Sequence, residues 1–310
     1  MVEVRALETV QLPHYRGSSL RGVFGLALKK ALCLLPRNDC QECGLRSKCV
    51  YMYLFNTEPD HCFVKAGRYR DAPHPFNFQL QVGGEELLER GQIFSFRVTL
   101  TGRAIRWLPS FIHAFQIMGR LGVGKGRGRF DLIGIVVLDG RGDPVQTLYP
   151  DLDAKEAPMV LGVQEALAIG AEYRGGRQLR LRLLSPLRIQ SNGSLCRELS
   201  FAVLFRTTLR RLENLLHFHC EGPAFVDWGP WKERIEQVMT VWSSLHWHDW
   251  ERYSKRQDRR MKLGGLVGEI CFRGPLEDFV PALLLGSWLG VGKNTTFGLG
   301  TYDLPDLGEL

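Results

Sequence analysis

Apolar and polar residues alternate through Val4–Leu12, which predicts a strand. Apolar positions then recur at helical spacing at Leu20, Val23, Phe24, Leu26 and Leu28, predicting a helix over about 19–35 that Ser18 or Ser19 caps. Alternation returns at Phe76–Val82 and Phe94–Leu100, which predicts paired strands. A helix over Leu108–Met118, with Pro109 in its first turn, and a strand over Phe130–Leu138 complete the set. The order β-α-β-β-α-β is that of the ferredoxin-like, or split βαβ, unit.

The stretch Asp139–Ala157, rich in Gly, Pro and Asp, reads as a linker, and the same order then repeats. The second set is a strand at Leu179–Leu184, a helix at Leu199–Phe218, an added helix at Trp231–Val241 and a basic hairpin over Ser243–Phe272 turning near Gly264–Gly265. A helix at Leu276–Leu289 and a strand at Phe297–Leu304 end it. The expected class is therefore α+β, with tandem ferredoxin-like (RRM-like) domains over residues 1–150 and 151–310. Neither half carries the aromatic strand motif by which an RRM stacks bases, so RNA is expected to meet loops and hairpins.

Leu-Gly-Val-Gly-Lys occurs twice, at Leu121–Lys125 and Leu289–Lys293, each time between a predicted helix and a predicted strand. The first copy continues through Arg127 and Arg129, the second through Asn294 and Thr295. Glycines permit positive φ and exposed N–H groups, and the lysine adds a charge, a combination suited to phosphate. The alternative is a helix-to-strand turn that merely requires glycine. Neither copy has the Gly-x4-Gly-Lys-Ser/Thr pattern of a P-loop, which argues against a nucleotide-binding enzyme.

A chain of 310 residues with 45% apolar content can build two cores, and no apolar stretch is long enough to span a bilayer: the longest, Phe279–Val291, contains Pro281. No basic-then-apolar leader opens it, so a soluble cytoplasmic protein without a membrane partner is expected. Net charge is +7 and the pI about 9.0. Arg252, Lys255, Arg256, Arg259, Arg260 and Lys262 crowd one short segment, a pattern suited to phosphates, with a solvated basic face as the alternative.

Of eight cysteines, Cys33, Cys40, Cys43 and Cys49 have the spacing Cys-x6-Cys-x2-Cys-x5-Cys within an insertion over about 33–62. Four thiolates including a close pair predict a structural zinc site. An iron–sulfur cluster is the second reading, and reduced, unmetallated cysteines the third. His61 or Cys62 is an alternative to Cys33 as fourth ligand. Cys196, Cys220 and Cys271 read as small core residues.

The run Gly290-Val291-Gly292-Lys293-Asn294-Thr295-Thr296-Phe297-Gly298-Leu299-Gly300 resembles the C-terminal glycine-rich motif of the CRISPR-associated RAMP superfamily. With Leu20–Gly25, the Cys40–Tyr51 segment and Arg252–Gln257 followed by Gly264-Gly265-Leu266, the chain resembles a cysteine-containing branch of the precursor-crRNA processing endoribonucleases (the CRISPR-associated protein six family). That resemblance implies tandem ferredoxin-like folds, CRISPR repeat RNA as partner, possible association with other CRISPR effector subunits, and cleavage without a catalytic metal through attack of the ribose 2′-OH. A noncatalytic crRNA-binding subunit of an effector complex is the rival reading.

Such chemistry needs a base, a proton donor and cations around the phosphorane. His14 with Tyr15 precedes the first helix, whose Arg21, Lys29 and Lys30 share its neighbourhood in sequence, and is the first choice; a loop histidine that only packs is the alternative. His246 and His248, flanking Trp247 and preceding Tyr253, are the second choice, with a wet sheet face opposite a tryptophan-lined core as the alternative. His217 and His219, at a helix end, read as structural. Arg21 and Lys30 of the first helix, Lys125, Arg127, Arg129, Lys293, Asn294 and Thr295 of the loops, and Arg252, Arg256, Arg259 and Arg260 of the hairpin are the candidate RNA contacts.

Overall fold

The computed structural model describes residues 1–14, 16–35, 39–40, 42–57, 72–80, 87–150, 158–173, 178–191, 193–222, 229–254 and 259–307, excluding the side chains of 251–254 and 259–262. The chain forms two compact units. The first comprises Met1–Val136, Thr147–Asp153 and Glu213–Ala224, the second Val137–Gln146, Ala154–Leu212 and Phe225–Leu310.

In chain order the first half contains β1 (Val2–Ala6), β2 (Val10–Gln11), α1 (Arg16–Leu32), α2 (Val50–Phe55), β3 (Phe76–Gln79), β4 (Leu87–Leu88), β5 (Ile93–Leu100), α3 (Leu108–Leu121), β6 (Phe130–Leu138) and β7 (Pro144–Tyr149). Its main sheet has the order β3-β5-β1-β6-β7, and the pairs β3–β5, β5–β1 and β1–β6 are antiparallel. Numbering only the four long strands of the repeat, this is 2-3-1-4, the ferredoxin-like order, with β7 added at the edge. Alternation sets the buried face: Val2, Val4 and Ala6 point inward while Arg5 is exposed. Phe24 of α1 meets Phe76, Phe78, Phe111 and Phe115 at centroid distances of 5.1–5.7 Å. Each such buried ring contributes about 1.5–3 kcal/mol.

The second half contains α4 (Val163–Ala171), β8 (Gln178–Leu187), β9 (Gln190–Ser191), β10 (Ser194–Leu195), α5 (Phe201–His219) and α6 (Gly229–Glu236). There follow β11 (Met239–Ser243), β12 (His246–His248), β13 (Glu251–Ser254), β14 (Arg259–Lys262), β15 (Gly265–Arg273), α7 (Val280–Leu289) and β16 (Tyr302–Asp303). The sheet order β11-β15-β8-β16, with β12 also on β15, is again 2-3-1-4. Leu179, Leu181 and Leu183 alternate inward on β8, and Phe201 and Phe205 of α5 pack on Phe279. The tandem ferredoxin-like expectation thus holds in topology.

Several predicted boundaries move. α1 begins at Arg16, ahead of the serines expected to cap it. The strand expected over 4–12 breaks into β1 and β2. The helix expected over 231–241 stops at Glu236, and Met239–Ser243 joins the sheet because its Thr, Val and Trp favour a pleated surface. The strand expected over 297–304 shrinks to Tyr302–Asp303, since Gly298 and Gly300 have φ of 81° and 72°, which a ladder cannot accommodate. Gly264–Gly265 does not turn the basic hairpin but joins β14 to β15, and residues 255–258, which connect β13 to β14, lie outside the described residues. Among the described residues, no helix is long and apolar enough to cross a membrane.

Candidate functional site

The two glycine loops have one geometry. α3 ends at Gly122 (φ 72°) and α7 at Gly290 (φ 66°). Beyond the helix, the N–H of Val123 donates to Gly128 O at 2.9 Å and that of Val291 to Gly300 O at 2.9 Å. The lysine then donates its N–H to the segment following a strand: Lys125 to Gln11 O and Lys293 to Arg188 O, both at 2.8 Å. A Cβ at Gly124 would stand 1.9 Å from Gln11 O and one at Gly292 2.4 Å from Arg188 O, so these glycines serve close backbone approach. Four N–H groups that an anion nest would offer are therefore bonded to the protein's own carbonyls. The charge each loop presents is carried by side chains: Lys125, Arg127 and Lys293 are exposed. Arg129 is exposed but pairs with Glu8 at 3.2 Å, and this hydrogen bond holds the Glu8 carboxyl below the usual range. Asn294 is half-buried at φ 65°. Thr295, expected to face a ligand, is instead buried, packing at the position a Gly290 side chain would approach.

His14 is exposed, three residues beyond the Gln11 carbonyl that the first loop clamps; Tyr15 lies outside the described residues. On α1, Leu20, Phe24, Ala27 and Leu28 face the core, while Lys30 is exposed. Arg21 turns inward: its guanidinium lies 4.9 Å from the Phe55 ring centroid and 3.1 Å from His74 Nε2. His74 Nε2 is also 3.0 Å from Phe55 O. Lys29 hydrogen-bonds Cys40, which raises the pKa of its ammonium.

The zinc expectation is overturned. Among the described residues, which include Cys33, Cys40, Cys43 and Cys49, no group of three or more His, Cys, Asp or Glu is arranged to hold a metal. Cys33 lies just beyond α1 and donates its thiol to Leu35 O at 2.8 Å, Cys40 engages Lys29, and Cys49 stands at the start of α2. The ligand spacing is present, but the chain disperses the thiols, and the iron–sulfur alternative fails with it. His61 and Cys62 lie outside the described residues.

On β12, His246, Trp247 and His248 stand opposite Val267, Leu266 and Gly265 of β15. Trp247 packs against the second unit's core, donates its indole N–H to Asp249 Oδ1 at 2.7 Å and lies 4.8 Å under the Arg197 guanidinium. Strand alternation directs the two histidines to the other face; His246 is exposed, with Nδ1 3.3 Å from Ser244 O, and His248 is half-buried. β13 and β14 form a two-stranded antiparallel ribbon whose register sets Arg252 opposite Met261, Tyr253 opposite Arg260 and Ser254 opposite Arg259. Arg256 lies outside the described residues.

His219 is fully buried. Its Nε2 lies 2.7 Å from Pro73 O, which can only accept, so Nε2 carries the proton and Nδ1 receives the Tyr53 hydroxyl at 3.2 Å. Burial pushes the Tyr53 pKa up. Both ring nitrogens are thus engaged within the first unit, in line with the structural reading of this histidine. Sequence reasoning did not single out His74 or Arg188. Arg188 is detectable only as the counterpart of Gln11, once both loops are overlaid.

A family model for the AF_1859_N N-terminal domain matches residues 1–159, and the model for the CRISPR-associated endoribonuclease Cas6 matches residues 181–302. An uncharacterized protein of Archaeoglobus fulgidus is 22% identical over 296 residues, covering 94% of this chain and 92% of its own. A chain of a partial Cas6-RT-Cas1–Cas2 complex superposes with a TM-score of 0.60 at 17% identity over 98% of this chain. This chain spans 44% of that one and 28% of its counterpart in a second Cas6-RT-Cas1–Cas2 complex. A Cas6 product complex from Thermus thermophilus superposes with a TM-score of 0.55 at 15% identity, over 98% of this chain and all of the other. At these identities the likeness is one of fold.

Proposed function

We propose, for a chain that belongs to the AF_1859_N family through residues 1–159 and matches the Cas6 model through 181–302, that it is an endoribonuclease that binds and cuts CRISPR repeat RNA. One observation carries this reading. The Cas6-matching residues hold, within one unit, the histidine strand β12, the arginine-bearing ribbon β13–β14 and the exposed Lys293 of a glycine loop on a ferredoxin-like sheet.

In the proposed reaction a base takes the proton of the ribose 2′-OH and the 2′-oxygen attacks the adjacent phosphorus. The P–O5′ bond breaks, and the 5′-oxygen receives a proton. The products are a 2′,3′-cyclic phosphate and a 5′-OH, and no metal takes part. We assign the first proton role to His14, with Tyr15 or Lys29 nearby in the chain, and keep His246, His248 and Tyr253 as the alternative set. Histidine suits either role because its unperturbed pKa lies near neutrality. Arg252, Arg256, Arg259, Arg260 and Lys293 would bond phosphates and read an A-form stem through its backbone. Lys30, Lys125 and Arg127 of the first unit are further candidate phosphate contacts. Arg21, turned onto Phe55 and His74, would instead brace α1.

The rival, a noncatalytic RNA-binding subunit, is favoured by one sequence fact: the family resemblance implies a histidine at or near the first helix, and α1 itself carries none. Mass spectrometry of RNA incubated with the protein separates the two. Fragments ending in 2′,3′-cyclic phosphate paired with 5′-OH fragments support the nuclease; intact RNA recovered from a tight complex supports the rival. The presence of Cas6 in Cas6-RT-Cas1–Cas2 complexes supports, by fold likeness, association with other CRISPR proteins.

A further inference from the structure

We propose that Arg188 is a positioning residue that couples the second glycine loop to the root of the β13–β14 ribbon, so that Lys293 and the ribbon are held as one phosphate-reading surface. The coupling rests on the RNA-binding reading only for its consequence, not for its geometry. Arg188 follows β8, and its carbonyl accepts the Lys293 N–H at 2.8 Å while its backbone bridges in parallel to Gly292. Its guanidinium reaches the other way and donates through Nη1 to the carbonyl of Gly264, the residue that leads from β14 into β15. One residue therefore holds the loop with its main chain and the ribbon root with its side chain.

The root is closely packed at Gly264 and Gly265. A Cβ at Gly265 would meet Leu187 O at 2.9 Å and Arg188 Cγ at 3.1 Å, and one at Gly264 would meet Asp249 Oδ1 at 2.5 Å. Leu263 N–H closes the ribbon base on Trp250 O at 2.9 Å. Arg188 is 8% exposed, and its Nε lies buried without a hydrogen-bond partner among the described residues. A residue present only to fill space would be apolar, since burying a guanidinium with an unpaired donor is unfavourable. Burial accordingly lowers the Arg188 pKa.

The first unit supplies an internal control. Gln11 gives its carbonyl to Lys125 in the same way, but its side chain is exposed. The glycine loop itself therefore does not require an arginine at this position. The arginine stands where a second element, the ribbon root, must be tied to the loop.

The test uses the full chain with Arg188→Met and Arg188→Lys. In RNA-free protein, hydrogen–deuterium exchange should accelerate in R188M at residues 263–265 and 289–293 and stay unchanged at 121–125; unchanged exchange in the first two segments overturns the proposal. With repeat RNA, the slope of log Kobs against log salt counts displaced counterions. Because Arg188 is buried it contributes no contact of its own, so R188M should lose the equivalent of more than one phosphate and cleave at least about tenfold more slowly, with R188K between it and the parent. A loss of one phosphate or none overturns the positioning role. If R188M does not fold, the same two readouts on R188K decide. If the parent binds no RNA, the RNA-binding reading fails, and the exchange result alone decides whether the coupling exists.

Discussion

Lys125 donates its backbone N–H to the carbonyl of Gln11 at 2.8 Å, and 168 residues later Lys293 makes the same bond to Arg188. The repeated pentapeptide thus encodes a backbone clamp between a helix-ending loop and the segment that follows a strand. Gly122, Gly124 and Gly292 inside it are fixed by the carbonyls they approach, and Gly290 by its positive φ and the Thr295 side chain.

That distinction can be measured. Gly124 has φ 73° and a Cβ there would stand 1.9 Å from Gln11 O, so Gly124→Ala combines backbone strain with overpacking and should destabilise by about 3 kcal/mol. Gly126 has φ 83° and open space around its Cβ position, so Gly126→Ala should cost only about 1 kcal/mol. Urea denaturation of the two variants checks the order; equal losses would contradict the clamp.

Tyr53→Phe removes the hydroxyl that His219 Nδ1 accepts while keeping the ring, and should cost about 1 kcal/mol with RNA cleavage unchanged. A large loss of cleavage at unchanged stability would move the Tyr53–His219 pair from structure to chemistry.

Three of the eight tyrosines bear on alkaline stability. Burial raises Tyr53 and Tyr302 and pushes Tyr173 up to about 12. Above about pH 10 the unfolded chain releases these protons while the folded one retains them, so the folded state binds more protons and stability falls as pH rises, by at most about 1.4 kcal/mol per pH unit per tyrosine. Tyrosinate absorbance followed against pH should show this group ionising together with unfolding; early, independent ionisation of all eight would contradict the burial.

For binding, Lys293→Ala should weaken repeat RNA uniformly across sequences and reduce the salt slope by about 1. For chemistry, His14→Ala should lower the single-turnover rate by about 10²–10⁴ with little change in affinity, and His246→Ala by far less. The reverse ranking would transfer the proton role to β12.

The fold was largely legible because strong periodicity reports burial. Phe130–Leu138 and the helix at Leu108 appear where alternation and helical spacing predict them, and the repeat predicted the duplication. Legibility failed where local pattern competes with backbone constraint: Gly298 and Gly300 read as strand but adopt positive φ, and Met239–Val241 reads as the end of a helix but belongs to a sheet strand. It failed again at the cysteines, because ligand spacing says which residues can meet but not whether the chain folds them together. His74 and Arg188 were opaque for another reason. Their partners, Arg21 and Phe55 for His74 and Gly264 for Arg188, are distant in sequence, and Phe55 and Gly264 bond through carbonyls, which leave no trace in residue type.

The most direct test of the central claim is a single-turnover incubation of the protein with labelled CRISPR repeat RNA in excess EDTA, beside a copy bearing one 2′-deoxy substitution at the mapped cut. The account predicts one metal-independent cut in the unmodified RNA and none in the deoxy copy, with both bound equally. Tight binding without cleavage of any repeat, or cleavage that survives the 2′-deoxy substitution, would contradict it.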